Sequence, residues 1–139
     1  MSRFVLDASV ALRWFLDDPI DEYAVKVRQM FLDGYRAVVP LIWTLEVVNS
    51  LIVAERKAKI SAAAVDERLA NIEELLDSYI DSPVTGIFAL RVLTIARHSG
   101  LTAYDASYLD LAQTENLPLA TLDAQLRKAA EHAGVEILR

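Results

Sequence analysis

Asp7, Glu46, Asp105 and Asp123 are the residues of this 139-residue chain whose types and placement could do chemistry. Asp7 closes the apolar run Phe4-Val5-Leu6, and Asp123 closes Pro118-Leu119-Ala120-Thr121-Leu122; each then hands over to a helix. Asp105 falls in the first turn of the helix that begins after Thr102, and Glu46 lies early in the helix that follows Val38-Val39-Pro40. Each aspartate alone has an ordinary explanation. Asp at a helix start accepts from free backbone N–H groups, and Asp105, three residues after Thr102, has capping-box spacing, although Glu or Gln is preferred there. Glu46 resists such a reading, because Ile42, Trp43, Leu45, Val47 and Val48 surround it. Helical spacing puts it on a stripe with Asn49 and Ser50 instead of with lysines or arginines. A buried carboxylate needs a partner or a metal.

The combination says more than its members. Carboxylates brought by separate elements to one edge of a sheet repel one another unless a cation joins them, and Mg²⁺ and Mn²⁺ prefer such oxygen ligands. With such an ion bound, water is activated near neutral pH and a phosphodiester oxygen is polarised without any histidine. The acids therefore point to metal-dependent phosphodiester hydrolysis. His98 and His132 stay out of this chemistry: each precedes a glycine at a helix end, where an imidazolium complements the dipole. Trp14, Phe15, Trp43, Tyr104 and Tyr108 are read as core or oligomer surface, and Arg56, Lys57 and Lys59 as a solvated helix end. Asp110 stands five positions after Asp105, a rotation of roughly 140° on a helix, and should face away from the site.

The elements that position these residues alternate. Short apolar runs at Phe4-Val5-Leu6, Ala37-Val38-Val39, Tyr79-Ile80, Pro118 to Leu122 and Val135-Glu136-Ile137-Leu138 are separated by helical patterns at about 22–32, 44–58, 61–77, 87–98, 103–115 and 124–133. Gly34, Gly100 and Gly134 directly follow helical patterns, as C-terminal caps do. Such alternation predicts an α/β fold with a parallel sheet covered by helices, and ligands of open parallel sheets bind outside the carboxyl ends of the strands.

Composition sets the outer bounds. A 54% hydrophobic content and singly spread Gly and Pro predict one domain over 1–139 with no linker. The absence of cysteine removes disulfides, thiolate zinc and cysteine nucleophiles, and fits a cytoplasmic protein. The most apolar region, 38–53, is broken by Pro40, Glu46 and Asn49, short of the ~20 apolar residues of a membrane span, so the protein should be soluble. A net charge of −6 argues against a general basic coat for nucleic acid, although a metal in the acidic site would present positive charge to a phosphate.

At these residues the sequence resembles the PIN-domain proteins, and specifically the VapC family of toxins from toxin–antitoxin pairs. Val5-Leu6-Asp7-Ala8-Ser9 resembles the opening motif and Leu45-Glu46-Val47-Val48-Asn49 the helix with the second acid. Leu101-Thr102-Ala103-Tyr104-Asp105-Ala106-Ser107-Tyr108 resembles the third and most specific motif, and Thr121-Leu122-Asp123 followed by Leu126 the fourth. The resemblance runs over nearly the whole chain. It implies a three-layer α/β/α fold with a five-stranded parallel sheet, Mg²⁺ or Mn²⁺ held by the acids, and endonucleolytic cleavage of RNA. Asp7 and Asp105 would be the main metal ligands, with Asp123 and Glu46 completing the cluster or orienting water. Ser9, Asn49 and Thr121 are candidates for holding the ligating carboxylates in place, as hydroxyls and amides commonly do. A small antitoxin partner follows from the resemblance, and a homodimer from it together with the large apolar content.

Other functions use the same residue types. A magnesium-dependent aspartyl-phosphate phosphatase wants a second acid two residues after its nucleophile, but Asp7 is followed by Ala8 and Ser9. A phosphorylated receiver domain needs an acidic pair after the first strand and a late lysine, whereas the one late lysine, Lys128, falls inside a helical pattern. A catalytically silent PIN-like protein that binds only RNA or a partner is the remaining alternative.

Overall fold

The computed structural model describes residues 2–83, 86 and 88–139. β1 (Arg3–Leu6), β2 (Arg36–Val38), β3 (Ile80–Asp81) and β4 (Leu119–Ala120) form a parallel sheet in the order β3-β2-β1-β4. The helices are α1 (Ala8–Leu16), α2 (Glu22–Gln29), α3 (Ile42–Arg56), α4 (Ala62–Ser78), α5 (Ala89–Ser99), α6 (Ala103–Glu115) and α7 (Ala124–His132).

Strand order explains the layering. From β1 through β2 to β3 the chain steps one way along the sheet, then returns past β1 to place β4 at the other edge. Crossovers between parallel strands are right-handed, so reversing the direction sends the later helices to the opposite face. The packing follows: α1 lies on α2 and α3, and α3 on α4, while α5 and α7 pack on α6, which itself lies against β1 and β4. The core between them holds Phe4, Val5, Leu6, Trp43, Tyr108, Leu119 and Leu126, each fully buried. The point where the strand order reverses, between β1 and β4, opens a crevice at their carboxyl ends.

The fifth expected strand is reduced to one bridge. Leu119 pairs in parallel with Ile137, through Leu119 N–H to the Glu136 carbonyl and Leu138 N–H to the Leu119 carbonyl. β4 is itself only two residues long, because Asn116 ends α6 in the left-handed conformation and the chain beyond Ala120 turns into the site. There is accordingly no ladder for 135–138 to extend. The pattern at 22–32 divides into α2 and a 3₁₀ turn over Met30–Asp33 that ends on left-handed Gly34. The nine-residue helix α1, which the spacing implied only through the chain leaving Asp7, is a full amphipathic element with Val10, Ala11 and Trp14 inward. Gly100 and Gly134 both take positive φ at helix ends, as predicted. Ile87, the expected start of the fourth helical pattern, lies outside the described residues; α5 begins at Ala89. Among the described residues no helix is long and apolar enough to cross a membrane.

Candidate active site

The Asp7 backbone continues the sheet, its N–H donating to the Ala120 carbonyl at 3.0 Å, and its position is that of the α1 N-cap. Its side chain makes no capping bond. Instead Ser9 Oγ donates to Asp7 Oδ2 at 2.6 Å and Thr121 Oγ1 donates to the same oxygen at 2.8 Å. The two hydroxyls are tied in turn to the β4–α7 turn: Ser9 Oγ accepts from Leu122 N–H and Thr121 Oγ1 from Asp123 N–H, both at 3.0 Å. Asp7 is 4% exposed. Burial pushes its pKa up to about 6; Ser9 and Thr121 oppose the shift, and the charges of Asp105 and Glu46 add to it.

Asp105 stands in the first turn of α6, whose start is fixed by Thr102 Oγ1 accepting from the Asp105 N–H at 3.1 Å. Partial burial raises its pKa, and the neighbouring Asp123 raises it further. Glu46 projects from α3, and Tyr108 Oη donates to its Oε1 at 2.6 Å. Its pKa is likewise raised, by burial first and by Asp105 as well. Asp123 caps α7, with Oδ1 accepting from the N–H groups of Gln125 and Leu126. The four acids thus gather at the β1/β4 crevice, where the mutual repulsions link Asp7 to Asp105 and Glu46, Glu46 to Asp105, and Asp105 to Asp123.

Three of them share a pattern. Asp7, Glu46 and Asp123 each have one carboxylate oxygen held by the protein and a second with no hydrogen bond among the described residues. Anchored carboxylates with a free oxygen, and no Lys or Arg among the side chains paired to them, make a donor set suited to a hard divalent cation. Among the described residues, however, no three acids or histidines lie close enough to enclose an ion. The donor chemistry of the single acids fits a divalent cation.

The remaining sequence expectations fall as follows. Ser9 and Thr121 sit on Asp7 as described. Asn49 is exposed and lines, with Ser50, Arg13 and Lys57, a cavity of about 670 Å³ next to the turn of α3 that follows Glu46. None of the four acids lines that cavity. Asp110 is engaged by Arg91 at 2.8 and 3.3 Å, with the guanidinium 4.2 Å over the Phe88 ring. The sequence pattern puts Tyr108 in the core or on an oligomer surface, and the structure places it beside the acids. Its spacing three residues after Asp105, one helical turn on the same side of α6, was the signal for its place beside the acids.

A family model described as the PIN domain matches residues 4–132. Among solved structures the chain is similar to PAE2754 from Pyrobaculum aerophilum, at 25% identity and a TM-score of 0.67 over 92% of this chain and 79% of that one. It is similar as well to a structure described as FitAcB from Neisseria gonorrhoeae, at 18% identity and a TM-score of 0.68, covering 98% of this chain and 96% of that one. A toxin–antitoxin complex from Klebsiella pneumoniae gives 20% identity and a TM-score of 0.55, with 86% of each chain covered. No curated protein sequence gives a significant match. With the family match spanning nearly all of the sequence over a parallel sheet of this order, the chain belongs to the PIN domain family.

Proposed function

We propose that this chain is a Mg²⁺- or Mn²⁺-dependent endoribonuclease of the VapC type, the toxin of a toxin–antitoxin pair, acting as one domain in the cytoplasm. The observation that carries the reading is Asp7 itself, buried, fixed by two hydroxyls instead of capping its helix, and near enough to Asp105 and Glu46 for their charges to raise its pKa. A carboxylate kept at that energetic cost is explained by a cation that it serves. Membership of the PIN family supports nuclease chemistry, and the structural likeness to a toxin–antitoxin complex supports a small inhibitory partner.

Asp7 and Asp105 would hold the ion, with Glu46 and Asp123 completing its surroundings through their free oxygens. When bound, such an ion supplies Lewis-acid polarisation of a phosphoryl oxygen and brings the pKa of water towards neutrality. The residues do the rest. Ser9 and Thr121 hold Asp7 Oδ2 and leave Oδ1 without a hydrogen bond among the described residues, and whichever of Glu46 and Asp123 is not on the ion would orient the attacking water and accept its proton.

The test is cleavage by the purified protein of RNA and of single-stranded DNA of the same sequence. RNA is expected to be cut with Mg²⁺ or Mn²⁺ and left intact with excess chelator. Asp7→Asn and Asp105→Asn should each reduce cleavage by about 100-fold or more, the scale of losing a group that meets developing charge. Full activity in chelator would overturn metal dependence, and cleavage of DNA alone would overturn the substrate.

A further inference from the structure

We infer that Tyr108 is a positioning residue for the acidic cluster: its hydroxyl fixes one oxygen of Glu46 and thereby sets where the other oxygen faces relative to Asp7 and Asp105. This rests on the nuclease reading above.

The geometry is specific. Tyr108 is fully buried on α6, one turn beyond Asp105, while Glu46 belongs to α3 on the far side of the strand-order reversal. The 2.6 Å bond from the phenol is therefore a direct link between the two helices at the level of the acids. A phenol has one proton to donate, and here it goes to Glu46 Oε1, which has no other side-chain hydrogen-bond partner among the described residues. Burial, with Asp7 and Glu46 close by, pushes the phenol far above its ordinary pKa, so it remains a donor. A Tyr needed only for packing would do as well with its hydroxyl on a backbone carbonyl. This one meets a half-buried carboxylate that faces Asp105.

Tyr108→Phe keeps the ring and deletes the hydroxyl. Two quantities are read: the Mn²⁺ concentration that gives half of the rise in melting temperature, and kcat and KM for RNA. Groups that orient metal-ligating side chains typically carry about 10- to 100-fold in affinity or activity. The Mn²⁺ midpoint is expected to rise and kcat to fall on that scale, with KM for RNA within about twofold. In a Glu46→Ala background the same substitution should add nothing, since residues that act through one contact are not additive. A wild-type Mn²⁺ midpoint and kcat in Tyr108→Phe, or an equal loss in both backgrounds, overturns the role. Should Tyr108→Phe not fold, Glu46→Asp serves instead, because it keeps the charge but withdraws the carboxylate from the phenol: it must show the same rise in Mn²⁺ midpoint, and a wild-type midpoint overturns the inference. A wild-type protein that gains no stability with Mn²⁺ and cuts no RNA overturns the nuclease reading itself, whereas a responsive wild type beside an unaffected Tyr108→Phe overturns only the role of Tyr108.

Discussion

Asp7 and Asp123 look alike in sequence, each an aspartate between a strand and a helix, and the structure separates them. Asp123 uses one oxygen as an N-cap, while Asp7 occupies the N-cap position and turns its carboxylate to Ser9 and Thr121. The four acids were legible as a set, because their positions at strand ends and helix starts follow from the hydrophobic pattern. Which oxygen of each is held was not, since that depends on partners as distant in sequence as Thr121. Tyr108 escaped for the same reason: the reading of Glu46 weighed only its neighbours on α3. The buried acids carry a pH signature. Asp7 rises from 3.8 to about 6, and Glu46 and Asp105 rise too. A carboxyl whose folded pKa is raised binds its proton more tightly in the folded state, so its contribution is complete below the unfolded value and is lost as pH climbs through the folded one. Metal-free protein is therefore expected to lose melting temperature between about pH 4 and about pH 7. Asp7→Asn should flatten that fall and melt several degrees higher at neutral pH, at roughly 3 °C per kcal/mol for a chain of this size. Calorimetry in chelator-treated buffer checks both, and identical profiles for the two proteins would refute it.

Among the elements, the long helices from α3 onwards and the first two strands were readable because their periodicity is sustained, and their ends moved by only a residue or two, whereas α2 stopped three residues early at Gln29. β3 and β4 are two-residue strands whose pairing is decided by what the rest of the sheet presents, so the fourth run looked longer and the fifth became a single bridge. The α5–α6 pair tests how separately the elements act. Arg91 from α5 holds Asp110 on α6 in a half-exposed ion pair, five positions from Asp105. Asp110→Asn is expected to lower the melting temperature slightly, since such pairs contribute about 1 kcal/mol or less, and to leave RNA cleavage near the wild-type rate. If Asp110→Asn abolished cleavage while Asp105→Asn retained it, the assignment of the two aspartates would be reversed.

For the molecule as a whole, large apolar side chains are left at the surface, and the homodimer is still an expectation to be tested. Leu41, Leu45 and Val48 run along α3, and Phe88, Leu90 and Leu93 lie at the start of α5; Leu41 and Phe88 both line one cavity of about 150 Å³. Contiguous exposed apolar surface marks interaction sites, and here Leu41 and Phe88 bring the two sets to one cavity. We propose that a second copy covers it. Light scattering at micromolar concentration is expected to give twice the chain mass, and Leu45→Asp with Leu90→Asp should give the single-chain mass. A wild-type protein that is monomeric at that concentration would end the idea. The acidic balance of −6 then has a local meaning, with part of it gathered in the crevice between β1 and β4.

The hydroxyl of Thr121 that steadies Asp7 lies 114 residues further along the chain. During synthesis at about 5–20 residues per second, Asp7 leaves the ribosome on the order of ten seconds before Thr121 is made. For that interval the first strand carries an acid with no anchor from β4, and Asp123 does not yet exist. On the proposed function, cleavage is then expected to wait for the last strand and helix to be made. In a synchronised translation reaction, RNA cleavage should begin only as full-length chain accumulates, and cutting by ribosome-bound chains that lack 118–139 would contradict this.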